Sequence, residues 1–308
     1  MNKKMTRRNA LMLMTSILGT TTLSYPLFAG DKEILEKWKV GRHLGIRFQP
    51  LEQLELENVR KAGFQCIELT IDRNAYAKTT EQQRLEWYTA LKKQADTLGL
   101  ELRSLHVPFA GIWDVSVLNE EARINAVQNT IPFFELKELL GVHFYNIHPS
   151  AEPIKDEERS KRLEQCIKSF KELAPIAKLK GVCVVVENLP RTCLGNTSTE
   201  IIKIVDTVGE PETVRICFDS NHTLKEKPEE FVAAVGNRIA STHMSDYDGL
   251  DEKHWLPYEG VINWKAVVSE LIKTGYPGPF VFETNRFKNR TASSNEIFAA
   301  WIRIKNSF

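Results

Sequence analysis

The chain has 308 residues, with 41 basic and 40 acidic side chains and a formal net charge of +1. Such a balanced charge offers no general field for nucleic acid or anionic lipid, so it favours a small-molecule partner. The five cysteines form no CxxC pair, and an odd number cannot be fully paired within one chain. We expect free thiols in the core, with a single disulfide left open.

Residues 1–29 have the layout of an export signal, with a cationic start, a short apolar stretch and small residues near the end. The paired Arg7 and Arg8 favour the twin-arginine route, which implies an exported, periplasmic protein. An uncleaved membrane anchor is the alternative, but the apolar stretch is short and broken by Thr and Gly. We expect no stable membrane span in residues 30–308.

Short apolar runs alternate with longer amphipathic segments along residues 30–308. The amphipathic segments have helical spacing, and several begin at Asp, Asn or Thr and end at Gly. The apolar runs, which we predict to be strands, are HLGIRF (43–48), CIELTI (66–71), LRSLHVPF (102–109), HFYNIHP (143–149), CVVVENL (183–189), VRICFD (214–219), IASTHMSD (239–246) and FVFETN (280–285). Eight strand-then-helix units predict an α/β fold, a single-domain (β/α)8 TIM barrel. The alternative, an open doubly wound sheet, usually has a glycine-rich turn after its first strand, which HLGIRFQPLEQ lacks.

Metal-competent side chains stand near the carboxyl end of most predicted strands, where barrel enzymes place their chemistry. These residues are Glu68, His106, His148, Glu187, Asp219, His222, His243, Asp246 and Glu283. A buried carboxylate is costly without a cationic partner, so a strand that ends in Glu187 indicates a cation at that point. Side chains two apart share a face of a strand, so Cys183 and Val185 should accompany Glu187 into the barrel.

Four of these residues come from successive strands whose carboxyl ends face one mouth, and we predict that they bind one divalent cation. They are Glu187, Asp219, His243 and Glu283. Three carboxylates and one imidazole suit Mn²⁺, Mg²⁺, Co²⁺ or Zn²⁺, with open positions left for substrate oxygens. Without a cation, the carboxylates would repel one another or hold protons at neutral pH. His222, three residues after Asp219, should lie beside it.

Several motifs are similar to those of sugar phosphate isomerase/epimerase proteins of the xylose isomerase-like TIM-barrel superfamily. They are VVENL, CFDSNH, the THMSD strand end, HWLPYEGVINW and FVFET, and the likeness extends over essentially the whole mature chain. The resemblance implies the same metal ligands on the fifth to eighth strands, and a substrate contact for His222. The segment HWLPYEGVINW resembles a loop of His or Arg followed by Pro-Gly-x-Gly, with Tyr258 and Glu259 where Gly is common, and it brings His254 to the mouth.

The superfamily also contains endonuclease four, a trinuclear zinc enzyme that acts on DNA. Its additional ligand types have counterparts here in His106, His148, His222, Glu252 and His254. The resemblance therefore leaves a second metal open. We expect the four histidines to contact substrate, and the neutral charge and export signal argue against a nucleic-acid partner.

Glu187 and Glu283 are predicted to transfer a proton next to a substrate carbonyl. They lie on strands three apart, so one removes the proton and the other returns it. Return to the opposite face of the same carbon gives epimerisation, and return to the neighbouring carbon gives isomerisation of a carbohydrate. Expulsion of a group at the β carbon would instead make the chain a lyase, and periplasmic 3-keto-glycosides would suit that reaction.

Three further points stay open in the sequence. Trp113, after the third strand, is expected to stack on a sugar ring, with burial at the barrel rim as the alternative. A catalytically inactive sugar-binding barrel is the alternative from another functional class. The oligomeric state is not indicated by any motif.

Overall fold

The computed structural model describes residues 30–308, so the export signal predicted for residues 1–29 lies outside the described residues. The strands are β1 (Val40–Ile46), β2 (Cys66–Ile71), β3 (Glu101–His106), β4 (Phe144–Ile147), β5 (Cys183–Glu187), β6 (Val214–Asp219), β7 (Ile239–His243) and β8 (Phe280–Phe282). The helices are α1 (Asp31–Lys37), α2 (Leu56–Ala62), α3 (Arg73–Lys78), α4 (Glu81–Leu98), α5 (Glu120–Phe134), α6 (Leu136–Leu140), α7 (Asp156–Lys180), α8 (Ser198–Val208), α9 (Pro228–Val235), α10 (Trp264–Lys273) and α11 (Ser294–Lys305). Each predicted strand overlaps an observed one.

All strand pairs are parallel, and the sheet order is β7-β6-β5-β4-β3-β2-β1-β8. The junction between β7 and β8 has only a bridge between Met244 and Phe282. At this junction the Thr242 side chain takes the place of backbone hydrogen bonds. Its hydroxyl donates to Pro279 O at 3.1 Å and accepts from Val281 N at 3.3 Å. The sheet is therefore a nearly closed (β/α)8 barrel, which confirms the predicted fold.

Several strands end earlier than the apolar runs predicted. Residues 188–189, for example, follow β5 as loop. The reason is that the Asn188 side chain takes over hydrogen bonds to the next strand: its amide donates to Asp219 O at 2.9 Å and accepts from Asp219 N at 2.7 Å. The polar residues at the mouth thus replace the backbone ladder with side-chain contacts.

The helices pack as their sequences predict. A capping box of Thr80 and Gln83 begins α4, and Gly99 ends it with φ of 64°, a left-handed conformation that favours glycine. α8 buries Ile201, Ile204 and Val205 against the barrel. No helix in the described part of the chain is long and apolar enough to cross a membrane.

The barrel interior contains a small apolar layer below the mouth. It consists of Cys183, Val185, Cys217 and Ala240, with Phe144 packed against it. All five cysteines are buried and free, which confirms the prediction of core thiols for Cys66, Cys183 and Cys217 in the apolar runs. Apolar side chains therefore fill the interior at this level, below the polar residues of the mouth.

Candidate metal centre and active site

The four predicted metal ligands meet at the carboxyl end of the barrel. Glu187 ends β5, Asp219 ends β6, His243 ends β7, and Glu283 follows β8 by one residue. One ligand atom from each lies within 4.8 Å of the others. The first three side chains are fully buried, whereas Glu283 is partly exposed to the mouth.

His243 is held in one orientation by contacts on both ring nitrogens. Its Nε2 lies 2.5 Å from Glu68 Oε1, and Glu68 Oε2 accepts a hydrogen bond from Ser104 Oγ at 2.6 Å. Its Nδ1 lies 3.1 Å from Glu187 Oε1 and 2.9 Å from Glu283 Oε2. A proton on Nε2, shared with Glu68, leaves the Nδ1 lone pair directed at the cluster.

Two carboxylate oxygens of the cluster have a histidine nitrogen nearby but accept no well-aligned hydrogen bond among residues 30–308. They are Asp219 Oδ2 and Glu283 Oε2, both buried. A buried carboxylate oxygen without a donor is costly, and two of them beside one imidazole nitrogen would not persist without compensation. The donor set of carboxylates and one imidazole therefore fits a divalent cation of hard or borderline character.

Ionisation within the cluster is uneven. Burial raises the pKa of Asp219 well above its usual range. Burial acts in the same direction on Glu187, but His243 and the other histidines around it lower the pKa of Glu187 well below the usual range. Burial opposes the charged form of His243, yet neighbouring acidic groups raise its pKa well above the usual range. In the absence of a cation, burial therefore favours the protonated form of Asp219, and the neighbouring acidic groups favour that of His243.

A second group of potential ligands shares Glu187. His106 Nε2 lies 3.2 Å from Glu187 Oε2 and 3.1 Å from His148 Nε2, and His148 Nε2 lies 3.4 Å from the same oxygen. Asn146 donates to Glu187 Oε2 at 2.6 Å. Glu187 thus directs one oxygen to the first group and the other to the two histidines.

A third group lies on the other side of Asp219. His222 Nδ1 is 3.3 Å from Asp219 Oδ2, and His222 Nε2 is 3.1 Å from Glu252 Oε2. The rings of His222 and His254 have centroids 5.9 Å apart. Burial disfavours the charged imidazole, but Asp219 and Glu252 raise the pKa of His222 to about 10.

These groups form the floor of a cavity of about 610 Å³, called here the main cavity. Its lining includes His106, His148, Glu187, His222, Glu252, His254 and Glu283, together with Arg47, Thr70, Asp72, Arg73, Phe109, Glu152 and Arg191. The volume is typical of a site for a small ligand. All four histidines predicted to contact substrate therefore face one space.

Trp113 does not reach this cavity, contrary to the sequence-based expectation. It is 8% exposed, its indole Nε1 donates to Asn129 O at 3.4 Å, and its ring packs edge-on against Tyr76. The rim burial considered as the alternative accounts for it. Phe109 lines the cavity instead, 42% exposed and stacked on His148 with ring centroids 4.2 Å apart.

His43 is a site residue that the sequence did not single out. Its Nε2 bonds to the Thr70 hydroxyl and lies 3.5 Å from Glu283 Oε1. Burial lowers the pKa of His43 to about 4, so the ring is neutral at pH 7. It precedes the end of β1 by three residues. In the sequence, its inward position on the first strand was the one feature that could have indicated a role in the site.

The loop after β7 is anchored by Asp246, which the sequence grouped with metal-competent residues. Asp246 is buried and accepts from Tyr258 N and Trp264 Nε1, each at 2.9 Å. At the loop tip, Tyr258 has φ of 73°, in the region that favours the glycine of the related loop motif. His254 N donates to Asn221 Oδ1 at 3.2 Å. Asp246 thus positions the loop that carries His254.

Arg191 crosses the mouth and is fully engaged by the protein. Its guanidinium contacts Glu152 and donates to Asp251 at 2.8 Å and Glu252 at 2.9 Å. With His222 the largest cause, these contacts lower the pKa of Glu252 to about 2. Arg191 therefore joins three loops and leaves little of its charge for a ligand.

A family model described as xylose isomerase-like TIM barrel matches residues 56–304, and the chain belongs to this family. Uncharacterized protein MJ1311 of Methanocaldococcus jannaschii is 28% identical over 213 residues, or 66% of this chain and 70% of that protein. A D-tagatose 3-epimerase-like protein is 24% identical, with a TM-score of 0.72 over 87% of this chain and 98% of its own. The 3-keto-D-glucoside 4-epimerase YcjR from E. coli is 15% identical, with a TM-score of 0.68 over 87% and 99%. At these identities the two structures establish the shared fold.

Proposed function

We propose that the chain is a divalent-metal-dependent sugar isomerase or epimerase that works by proton transfer next to a carbonyl. The observation that supports this most strongly is the meeting of Glu187 and Glu283 with Asp219 and His243 at one centre, with unpartnered oxygens directed into it. Structures of the same fold include proteins described as sugar 3-epimerases and a 3-keto-glucoside 4-epimerase.

The two glutamates would flank the reacting carbon. When bound, the cation would polarise the substrate carbonyl and stabilise the negative charge that develops on its oxygen. The low pKa of Glu187 and of Glu283 keeps either one ready to act as a base. In a turnover, one carboxylate takes the C–H proton, and the other, after it has taken up a proton in the substrate complex, returns that proton to carbon. The roles are then exchanged for the reverse reaction.

The surrounding residues would orient these two groups. Asn146 holds Glu187 Oε2 by donation at 2.6 Å, and neutral His43 lies beside Glu283 Oε1. His106, His148, His222 and His254 line the main cavity, where they would contact substrate hydroxyls. His106 and His148 also supply the second candidate metal group, with Glu187 shared between that group and the first.

A lyase that acts on 3-keto-glycosides is the second candidate. The main cavity extends from Glu283, after β8, to Asp72 and Arg73, after β2, so a glycoside's leaving group would have a wall to lie against. One neighbour in fold is described as acting on a 3-keto-D-glucoside. Proton removal at the same carbon, followed by loss of the β substituent, would then give an unsaturated product and a free aglycone.

Incubation in D₂O distinguishes the candidates. The metal-loaded protein would be mixed with free, phosphorylated and 3-keto sugars, and deuterium uptake and product release would be followed by NMR and mass spectrometry. An epimerase or isomerase incorporates deuterium without releasing an aglycone, whereas a lyase releases one. Glu187→Gln and Glu283→Gln should each abolish exchange. A catalytically inactive sugar-binding barrel would bind sugar as the parent protein and as either variant, and none of the three would exchange deuterium.

The number of metal ions is a separate proposal. We propose that the group of His106, His148 and Glu187 takes a second cation. Metal analysis of His148→Ala should then show one equivalent fewer than the parent protein. An unchanged stoichiometry would restrict the chain to a single cation at the first group.

We further propose that residues 1–29 direct export through the twin-arginine route. Replacement of Arg7 and Arg8 by Lys should retain the protein in the cytoplasm, which cell fractionation would detect. Periplasmic recovery of this variant would contradict the proposal.

A further inference from the structure

A second opening, of about 480 Å³ and called here the side cavity, adjoins the main cavity. It lies between the carboxyl ends of β1 and β8 and shares Gly45, His254 and Glu283 with the main cavity. Three cationic side chains line it, Arg42, Lys253 and Arg286, and Glu283 is the one carboxylate in its described lining. The lining therefore has an excess of positive charge next to the proposed reacting carbon.

Arg42 has unusual surroundings for a buried cation. It is 8% exposed, one terminal nitrogen donates to the backbone oxygen of Thr284, and its Nε is buried with no hydrogen-bond partner. Among residues 30–308 it forms no ion pair with a carboxylate. Burial lowers its pKa to about 10, so it stays charged at neutral pH. A buried cation without an anion is costly, and this one lies at the wall of a cavity.

The other two cations differ in how far the protein neutralises them. Arg286 is exposed and donates to the carbonyls of Phe287 and Lys288 at 3.5 Å, with no carboxylate partner in the described part of the chain. Lys253 lies 3.3 Å from Asp248 Oδ2. Arg191 in the main cavity, by comparison, contacts three carboxylates. Arg42 and Arg286 are therefore the two cations of the side cavity that no carboxylate of residues 30–308 neutralises.

We propose that the side cavity binds an anionic group, a carboxylate or a phosphate, carried by the sugar whose reacting carbons lie at the metal centre. This rests on the proposed function, because it places the sugar ring beside Glu283. Guanidinium groups match both anions with paired hydrogen bonds, and Arg42 and Arg286 provide two of them. The substrate would then be a sugar acid or a sugar phosphate.

Calorimetric titration of matched sugar pairs tests the proposal. The probes are D-glucuronate against D-glucose, D-galacturonate against D-galactose, and D-glucose 6-phosphate against D-glucose. For at least one pair, we expect the anionic member to bind about tenfold or more tightly than the neutral one, with an advantage that declines as salt is added. A preference for the acid over the phosphate, or the reverse, identifies which anion is the natural one. Equal affinities within every pair, or no binding of any anionic member, would overturn the proposal.

Two variants and one control locate the effect. Arg286→Met changes an exposed residue and should fold normally. For Arg42→Met, the midpoint of thermal unfolding shows whether the variant is folded. Each should reduce the affinity for the anionic sugar by about tenfold and leave that for the neutral sugar within about twofold. Arg290→Met removes the same charge from the same loop outside both cavities and should retain full anion preference. If the preference survives both of the first two substitutions, the side cavity is not its source.

The binding measurement is independent of turnover. A chain that exchanges no deuterium with any sugar but prefers anionic sugars through Arg42 and Arg286 would refute the proposed function and retain the anion site. Deuterium exchange with neutral sugars, together with no anion preference, would support the proposed function and refute the anion site.

Discussion

Glu68 and His243 lie on opposite sides of the barrel interior and meet at a distance of 2.5 Å between Oε1 and Nε2. This contact sets which imidazole nitrogen faces Glu187, Asp219 and Glu283. Because the contact is buried completely on both sides, the orientation of the ring depends on Glu68 rather than on solvent.

Glu68→Gln should therefore weaken metal binding without altering any ligand. We expect the affinity for Mn²⁺ or Zn²⁺ to fall by about 10- to 100-fold, as measured by calorimetric titration of the metal-free protein. Glu101→Gln, at the far end of the barrel on β3, removes a carboxylate that pairs with Lys39 and serves as the control. Equal affinities in the two variants would show that Glu68 does not orient His243.

Asp219→Asn should separate folding from metal binding. Burial raises the pKa of Asp219 and so favours its neutral form in the metal-free protein, which the amide resembles. We expect the free energy of unfolding without metal to change by less than about 1 kcal/mol. The added stability from metal at a hundred times its Kd, about 2.7 kcal/mol in the parent, should disappear. Chemical denaturation with and without a chelator measures both quantities.

Metal binding should release protons. The pKa of Asp219 and that of His243 are both raised, which favours a proton on each group before the cation binds. A cation must displace these protons, and its affinity should decrease as pH falls, by up to about tenfold per pH unit for each proton released. Titrations in buffers of different ionisation enthalpy would give the number released. A binding enthalpy independent of buffer would contradict the expected protonation.

Asp246→Asn should loosen the loop that carries His254. The amide would place N–H groups or a weaker acceptor against Trp264 Nε1 and the backbone of Tyr258. We expect a loss of about 2 to 4 kcal/mol in the free energy of unfolding, because charged hydrogen bonds are lost in a buried setting. Asp248→Asn, at a partly exposed position of the same loop, is the control and should change stability less. Similar denaturation curves for the two variants would contradict the anchoring role.

The sequence predicted the barrel and the positions of the candidate metal ligands at its strand ends, because both depend on local patterns. A run such as CVVVEN is apolar until its final carboxylate, and the equivalent ends of parallel strands must face one side. The family resemblance agreed with this order. Those arguments required no knowledge of which loop folds over which.

The remaining site residues could not be predicted, because their positions depend on how distant parts of the chain pack together. Trp113 and Phe109 are both aromatic and both follow β3, and only the packing of Trp113 against Tyr76 decides which one lines the cavity. Glu68 has the same strand-end signal as the ligands, yet its distance from the centre makes it a partner of His243. Arg42 and His43 are neighbours on one strand, and their separate surroundings arise from β8, more than two hundred residues later.

The incomplete junction between β7 and β8 has a consequence for the metal-free protein. His243 ends β7 and Glu283 follows β8. A cation held by both would therefore link the two strands at the point where Thr242 interrupts the backbone hydrogen bonds. A chelator should therefore increase amide hydrogen exchange first at Met244 and Glu283, which flank that junction. The cation would act as a structural cross-link as well as a participant in chemistry. Its removal would therefore open the barrel between β7 and β8.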